Sequence, residues 1–257
     1  MDLPRNAFKA ALKEGRKQIG MWVSIPDSGV AELLAGCGYD WLLIDTEHSA
    51  MGAVETLPLM QAVAPYPVSA VVRPGWNDPV EIKKLLDSGA QSLLIPFVQN
   101  AEEAAAAVAA TRYPPHGIRG MAGTTRATRY GAVTGYATRA HEEICVLVQV
   151  ETAEALGNIE AIAAVEGVDG IFIGPADLAA SMGYPGQGSH PEVKTAVIDA
   201  VKRITAAGLP AGFLSLDPAM LDAVNEAGGQ FIAVDVDMVV LRREAAAKAA
   251  LWREKIG

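Results

Sequence analysis

Eight short runs of apolar, β-forming residues punctuate this chain, and a segment of helical character follows each one. The runs are IGMWVSI (19–25), WLLID (41–45), VSAVVR (68–73), SLLIPFV (92–98), CVLVQVE (145–151), GIFIGP (170–175), AGFLSL (211–216) and FIAVDV (231–236). Between them stand stretches such as DPVEIKKLLDSG (78–89), NAEEAAAAVAATR (100–112) and DPAMLDAVNEAGG (217–229). Strands that are apolar on nearly every residue need cover on both faces, which a parallel sheet layered with helices provides. Eight such units in 257 residues predict a single α/β domain over 1–257, a closed (β/α)8 TIM barrel. An open doubly wound sheet competes, but no GxGxxG follows the first strand. Gly38, Gly89, Gly208 and Gly228 stand where helix C-caps are needed.

A cap helix is expected near 4–14, and a last helix over about 238–255 carries Leu241, Ala245, Ala249 and Trp252 at helical spacing. Trp252 either seals the barrel or docks on a neighbouring subunit. Residues 113–143 form a long Gly-, Arg- and Tyr-rich insertion before the fifth strand. Loops of that length inside a compact domain usually carry function or build an interface.

The chain holds 21 Lys and Arg against 30 Asp and Glu, a net charge of −9. Such a surface repels phosphate backbones and anionic lipid, so neither nucleic acid nor a membrane is an expected partner. Cys37 and Cys145 are far apart and form no CxxC pair, which argues against a disulfide framework or a thiolate metal site. The opening MDLPRNAFKAALKEG lacks a signal peptide's apolar core, and no apolar run reaches membrane-spanning length. The expectation is a soluble, cytoplasmic protein.

Active sites of such barrels lie at the C-terminal ends of the strands. Collected there are Asp45, Glu47 and His48 after the second strand and Arg73 at the end of the third. Gln149 and Glu151 end the fifth, Pro175, Ala176 and Asp177 follow the sixth, and Asp235 and Asp237 close the eighth. Alternation along the fifth strand puts Cys145, Leu147, Gln149 and Glu151 on one face and Val146, Val148 and Val150 on the other. The valines suit the helical layer, leaving Gln149 and Glu151 to face the barrel mouth. The neighbouring strand, about 4.8 Å away, delivers Asp177. Two carboxylates brought together repel unless a cation or a shared proton intervenes, and a hard divalent ion completed by water or substrate oxygens fits them. Alternatively, Asp177 caps the helix that starts ADLAA and Glu151 pairs with an arginine.

The GPADL turn offers unpaired N–H groups to a carboxylate or phosphate, or else is a plain strand-to-helix turn. Arg73 has the inward parity of Ser69 and Val71. It serves either a ligand oxyanion or an internal salt bridge, for instance to Asp45. Of the four histidines only His48 sits at a strand end beside two acids, where Asp45 is the natural group to fix its tautomer. It is a candidate base, with structural capping as the alternative. Glu47 either holds a water or caps a helix.

The absences narrow the chemistry. All nine lysines (9, 13, 17, 83, 84, 194, 202, 248 and 255) fall in helical or N-terminal segments, so an imine mechanism, which needs a desolvated lysine in the barrel, is disfavoured. LSLD and DVDM replace any Gly-rich phosphate loop after the last two strands, and no GxSxG is present.

With these residues in place, the chain resembles the HpcH/HpaI class II pyruvate aldolases. The resemblance is carried by AELLAGCGYDWLLIDTEH (31–48), VVRPGWNDPVEIKKLLDSGA (71–90), ATRYPPHGIRG (110–120), CVLVQVETAEA (145–155), GVDGIFIGPADLAASMGY (167–184) and FIAVDVD (231–237), in order over nearly the whole chain. It implies that Glu151 and Asp177 hold a divalent ion (Mg2+, Mn2+ or Co2+), that Arg73 stabilises a developing oxyanion with Gln149 beside it, and that the backbone of Gly174, Pro175 and Ala176 receives a pyruvate carboxylate. His48 is then the base, supported by Asp45, and Asp87, which by sequence alone is a solvated helix residue, reaches a neighbouring subunit's histidine. Trp22 and Leu214 line the aldehyde side. The implied reaction is reversible cleavage of 4-hydroxy-2-oxo acids, such as 4-hydroxy-2-oxoheptanedioate, to pyruvate and an aldehyde. The implied assembly is a homo-hexamer, a trimer of dimers with an exchanged C-terminal helix. AGTTRATRYGAV (122–133) and IPDSG (25–29) depart from the family pattern, which leaves the acceptor aldehyde open. An oxo-acid decarboxylase or enolising lyase on the same barrel, and a non-catalytic 2-oxo acid binding relative, are the competing readings.

Overall fold

The computed structural model describes residues 1–257. In chain order the first half comprises α1 (Ala7–Lys13), β1 (Gln18–Val23), α2 (Ser28–Ala35), β2 (Trp41–Asp45), α3 (Ala53–Val63), β3 (Ser69–Arg73), α4 (Pro79–Asp87), β4 (Ser92–Ile95) and α5 (Ala101–Thr111). The second half comprises α6 (Tyr136–Glu143), β5 (Cys145–Val150), α7 (Ala153–Gly157), α8 (Ile159–Ala163), β6 (Gly170–Ile173), α9 (Pro175–Ser181), α10 (Pro191–Ala206), β7 (Ala211–Leu214), α11 (Pro218–Ala227), β8 (Phe231–Val236) and α12 (Asp237–Ile256). The strands pair in sequence order and in parallel, and β8 closes on β1. All eight predicted strands are present. β1, β4, β6 and β7 stop two or three residues earlier than their apolar runs do.

Two apolar layers hold the barrel. Val146, Val148 and Val150 of β5 belong to the outer one, between strands and helices, while Cys145 and Leu147 belong to the inner one. The parity read from the fifth strand is therefore the parity observed. The inner layer also contains Leu43, Val71, Phe172 and Phe231. At the N-terminal end, Phe8 of α1 plugs the barrel, packing on Trp41 at 5.8 Å and edge-on against Phe231 at 5.9 Å. Asn6 secures this plug. Its side chain accepts the Lys9 N–H at 3.0 Å as an N-cap, and its amide donates to Ser92 Oγ at 2.9 Å. The four expected C-cap glycines all take left-handed φ, from 86° to 110°.

The last helix departs from one of its two expected roles. Asp237, its first residue, is buried, and its Oδ2 accepts the N–H groups of Ser24 (3.0 Å) and Ile25 (2.9 Å). Beyond that anchor the helix leaves the barrel, with Leu241, Leu251, Trp252 and Ile256 exposed. Trp252 does not seal the barrel. No helix is long and apolar enough to cross a membrane.

Candidate active site

Asp45 and Arg73 are the last residues of adjacent strands and lie directly opposite one another in register. They share the inward parity of Leu43 and Val71, so both side chains enter the mouth. Arg73 Nε and Nη2 donate to the two oxygens of Asp45 at 2.9 and 2.7 Å, and Trp22 Nε1 donates to Asp45 Oδ2 at 3.2 Å. The guanidinium also lies over the Trp22 ring, 5.0 Å from its centroid. Burial pushes the Asp45 carboxyl towards its neutral form, but the bonds and charge of Arg73 outweigh it and hold the group below its usual range. The remaining Arg73 nitrogen, Nη1, stands 2.9 Å from Glu47 Oε2 and 3.5 Å from Gln149 Oε1. Arg73 thus makes the internal salt bridge and still presents one edge to the mouth.

Opposite that edge is Glu151, which is buried. Its Oε1 accepts the Phe97 N–H at 2.8 Å, and its Oε2 accepts from Gln149 Nε2. Gly174 leaves the necessary room. A Cβ there would lie 2.5 Å from Glu151 Oε2 and 2.8 Å from Gln149 Nε2. Asp177 stands exposed in the first turn of α9. Burial, the charge of Asp45 and that of Asp177 push the Glu47 carboxyl up to about 6 against the opposing pull of Arg73. Burial, followed by the charges of Glu47 and Asp177, pushes Glu151 up to about 7 against its hydrogen bonds from Gln149 and Phe97.

Glu47 and Glu151, both pushed up by burial and by neighbouring carboxylate charge, mark a site short of positive charge. Glu47 Oε2 is buried and lacks a hydrogen bond of proper geometry, its contact with Arg73 being electrostatic only. The chain brings no set of three or more His, Cys, Asp or Glu close enough to enclose an ion. An ion held by Glu151 and Asp177 would therefore draw its other oxygens from water and ligand, as Mg2+ and Mn2+ commonly do. On donor chemistry and charge, the residues fit such an ion.

Residues 18–243 match the HpcH/HpaI aldolase/citrate lyase family. The chain belongs to that family. It is 63% identical over 252 residues to the hydroxypyruvate/pyruvate aldolase of Sagittula stellata, covering 98% of this chain and 100% of that one. It is 54% identical over 247 residues to the 4-hydroxy-2-oxo-heptane-1,7-dioate aldolase of Salmonella heidelberg, covering 96% and 94%. The crystal structure of an HpcH/HpaI aldolase/citrate lyase family protein from Burkholderia cenocepacia superposes with a TM-score of 0.92 at 37% identity, covering 97% of this chain and 99% of that one.

Within this HpcH/HpaI family member the expected dyad takes a different form. Asp45 does not meet the His48 imidazole. Its Oδ1 instead accepts the backbone N–H groups of Glu47 (3.0 Å) and His48 (3.4 Å), closing the turn from below. The carboxylate near the exposed imidazole is Glu47, with Oε2 3.8 Å from His48 Nε2. Asp45 therefore positions His48 through the main chain, since Arg73 and Trp22 already occupy its oxygens. Asp87 lies outside the cluster, at the far end of α4. There it is half-buried and paired with Arg119 at 2.7 Å, and Arg119 in turn lies over Tyr113 at 4.6 Å.

Leu214 ends β7 and borders a cavity of about 510 Å3 together with Pro175, Ala176, Ser189, Lys194 and Val236. The first backbone bond of α9 runs from the Leu178 N–H to Gly174 O. The Ala176 and Asp177 N–H groups thus precede the helix's own ladder. Phe97, which donates to Glu151, was not a candidate from sequence; an isolated Phe in an apolar run carries no signal of that role.

Proposed function

We propose that this protein is a divalent-metal-dependent aldolase that reversibly cleaves 4-hydroxy-2-oxo acids to pyruvate and an aldehyde. The observation that carries the reading is the pairing of a fork-held Arg73 with Glu47 and Glu151, two carboxylates pushed up by burial and by neighbouring carboxylate charge, Asp177's included, in one barrel mouth. Names of relatives at 63% and 54% identity support the pyruvate-aldolase class.

Glu151 and Asp177 would hold the ion, Mg2+, Mn2+ or Co2+, which supplies Lewis-acid polarisation of the 2-oxo group. The substrate carboxylate seats on the Gly174–Ala176 turn. Arg73 Nη1 presents a fixed positive charge to the C2 oxygen, where negative charge develops, and Asp45 prevents it from swinging away. His48, placed by the Asp45 turn and facing Glu47, accepts the C4 hydroxyl proton. The C3–C4 bond then breaks, its electron pair forms the enolate of pyruvate, and the C4 carbon leaves as an aldehyde. His48 then returns its proton to C3, which gives pyruvate and restores the base, and the reverse sequence joins the two. Trp22 and Leu214 flank the aldehyde side.

The exposed apolar positions of α12 support an assembly in which this helix packs on a neighbouring subunit, within a homo-hexamer built as a trimer of dimers. Asp87 would then serve a neighbour's His48. The acidic composition supports a cytoplasmic location.

Exchange of pyruvate methyl protons in D2O tests the proposal. Exchange should require metal, stop with chelator, and be lost in His48→Ala and Arg73→Ala. Exchange that survives full metal removal would exclude the class II mechanism. Decarboxylation of oxaloacetate with no cleavage of any 4-hydroxy-2-oxo acid would point to the decarboxylase reading.

A further inference from the structure

The connection from β4 to α5 contains a backbone that its own side chain disfavours. Phe97 has φ of 56°, in the left-handed region that bulky L residues seldom occupy. Its N–H donates to Glu151 Oε1 at 2.8 Å, and the next N–H, of buried Val98, donates to Gln149 O at 3.0 Å. Successive N–H groups of an extended strand point to opposite sides. Two in a row aimed at the same neighbouring strand need a break in the extended backbone, and the left-handed φ at Phe97 is that break. The Phe97 ring stacks on Trp76 with centroids 5.3 Å apart and planes inclined by 30°, although both rings are solvent-exposed. Strained backbone of this kind persists only where its surroundings over-determine it, and it clusters at functional sites.

We propose that Phe97 is a positioning residue for Glu151: its left-handed backbone aims an N–H at the carboxylate, and stacking on Trp76 keeps that backbone from relaxing. The inference rests on the reading of Glu151 as an ion-holding residue. Phe97 and Gln149 place one donor on each carboxylate oxygen. The carboxylate is thereby fixed, and each oxygen keeps a lone pair for a ligand. Partners of this sort orient a metal ligand without touching the metal.

The test is Mn2+ binding to the full-length protein by calorimetry, after stripping with chelator. Phe97→Ala and Trp76→Ala both remove the stack, and alanine at 97 is free to relax to an extended φ. Their Mn2+ dissociation constants should rise about tenfold, the usual scale for losing an outer partner of a metal ligand. Phe97→Gly removes the same ring but tolerates left-handed φ, and should stay within about threefold of wild type. A ring that merely packs would make alanine and glycine equivalent, so equal weakening, or no weakening in either, overturns the proposal. Amide exchange of the metal-free protein separates this from the ion reading. The N–H at position 97 should exchange slowly in wild type and Phe97→Gly, and quickly in Glu151→Ala and Phe97→Ala. If that order holds while wild type binds no Mn2+, the ion reading fails and the positioning stands. If Mn2+ binds but the Phe97 amide exchanges as quickly in wild type as in Glu151→Ala, the positioning fails.

Discussion

Arg73 and Asp45 are partners twice over, as register neighbours on β3 and β2 and as the two halves of a forked ion pair with contacts of 2.9 and 2.7 Å. The fork fixes the guanidinium plane, which a single-point contact would not do. Arg73→Lys should keep the fold and the charge yet lower kcat for aldol cleavage by about 10²-fold, the scale for losing one placed oxyanion donor. Arg73→Ala leaves Asp45 buried without its partner and should cost about 3–5 kcal/mol in urea unfolding. A lysine variant with wild-type kcat would show that the fork is structural only.

Glu151 links pH to stability in the metal-free protein. Its folded-state value of about 7 lies above the ordinary glutamate value of 4.5. The folded state therefore holds this proton more tightly than the unfolded state does. The associated stability is fully present below pH 4.5 and is lost as pH rises to about 7. Glu151→Gln has no such loss. In chelator it should be more stable than wild type at pH 8, by up to about 3 kcal/mol, with the gap closing towards pH 5. Unfolding midpoints at several pH values check this, and a gap independent of pH would contradict it.

His48→Ala should leave Mn2+ affinity near wild type while slowing pyruvate proton exchange by about 10²-fold or more. Glu47→Gln alters the only carboxylate facing the imidazole, at 3.8 Å, and should slow exchange less. If the glutamine variant is the slower of the two, Glu47 rather than His48 carries the proton.

Gly174→Ala is a test by volume alone. The native φ of −86° suits alanine, so the backbone is not strained, but the new Cβ would lie 2.5 Å from Glu151 Oε2. The carboxylate must move, and Mn2+ affinity should fall by about tenfold or more while thermal unfolding changes little. Unchanged affinity would mean that Glu151 is not needed where it now stands.

Leu241→Glu with Trp252→Glu places charge on the exposed apolar positions of α12. In an assembly built through that helix, sedimentation should show a shift to smaller species. The monomer should keep its circular dichroism, because the helix touches its own barrel mainly near Asp237.

The barrel and the inward set of β5 were legible because periodicity records which face a strand residue takes. Val146, Val148 and Val150 lie in the outer layer and Leu147 in the inner, so the placement of Gln149 and Glu151 followed from counting by twos. What periodicity does not record is how polar groups divide their bonds beyond the strand end. Asp45 looked like the partner of the His48 imidazole by proximity in sequence, but its oxygens were already taken by Arg73, Trp22 and two backbone N–H groups. Phe97 was hidden for a related reason. Its part depends on a backbone angle that its residue type disfavours, and nothing in IPFV announces it.

The Phe8 plug has a consequence for the order of events. With Phe8, Trp41 and Phe231 closing the N-terminal end, the barrel is a cul-de-sac. Traffic in and out shares a single doorway, so whichever molecule settles deepest must arrive first and depart last. For the proposed condensation this would set a queue, with the oxo acid against Glu151 and Arg73 ahead of an aldehyde beside Leu214.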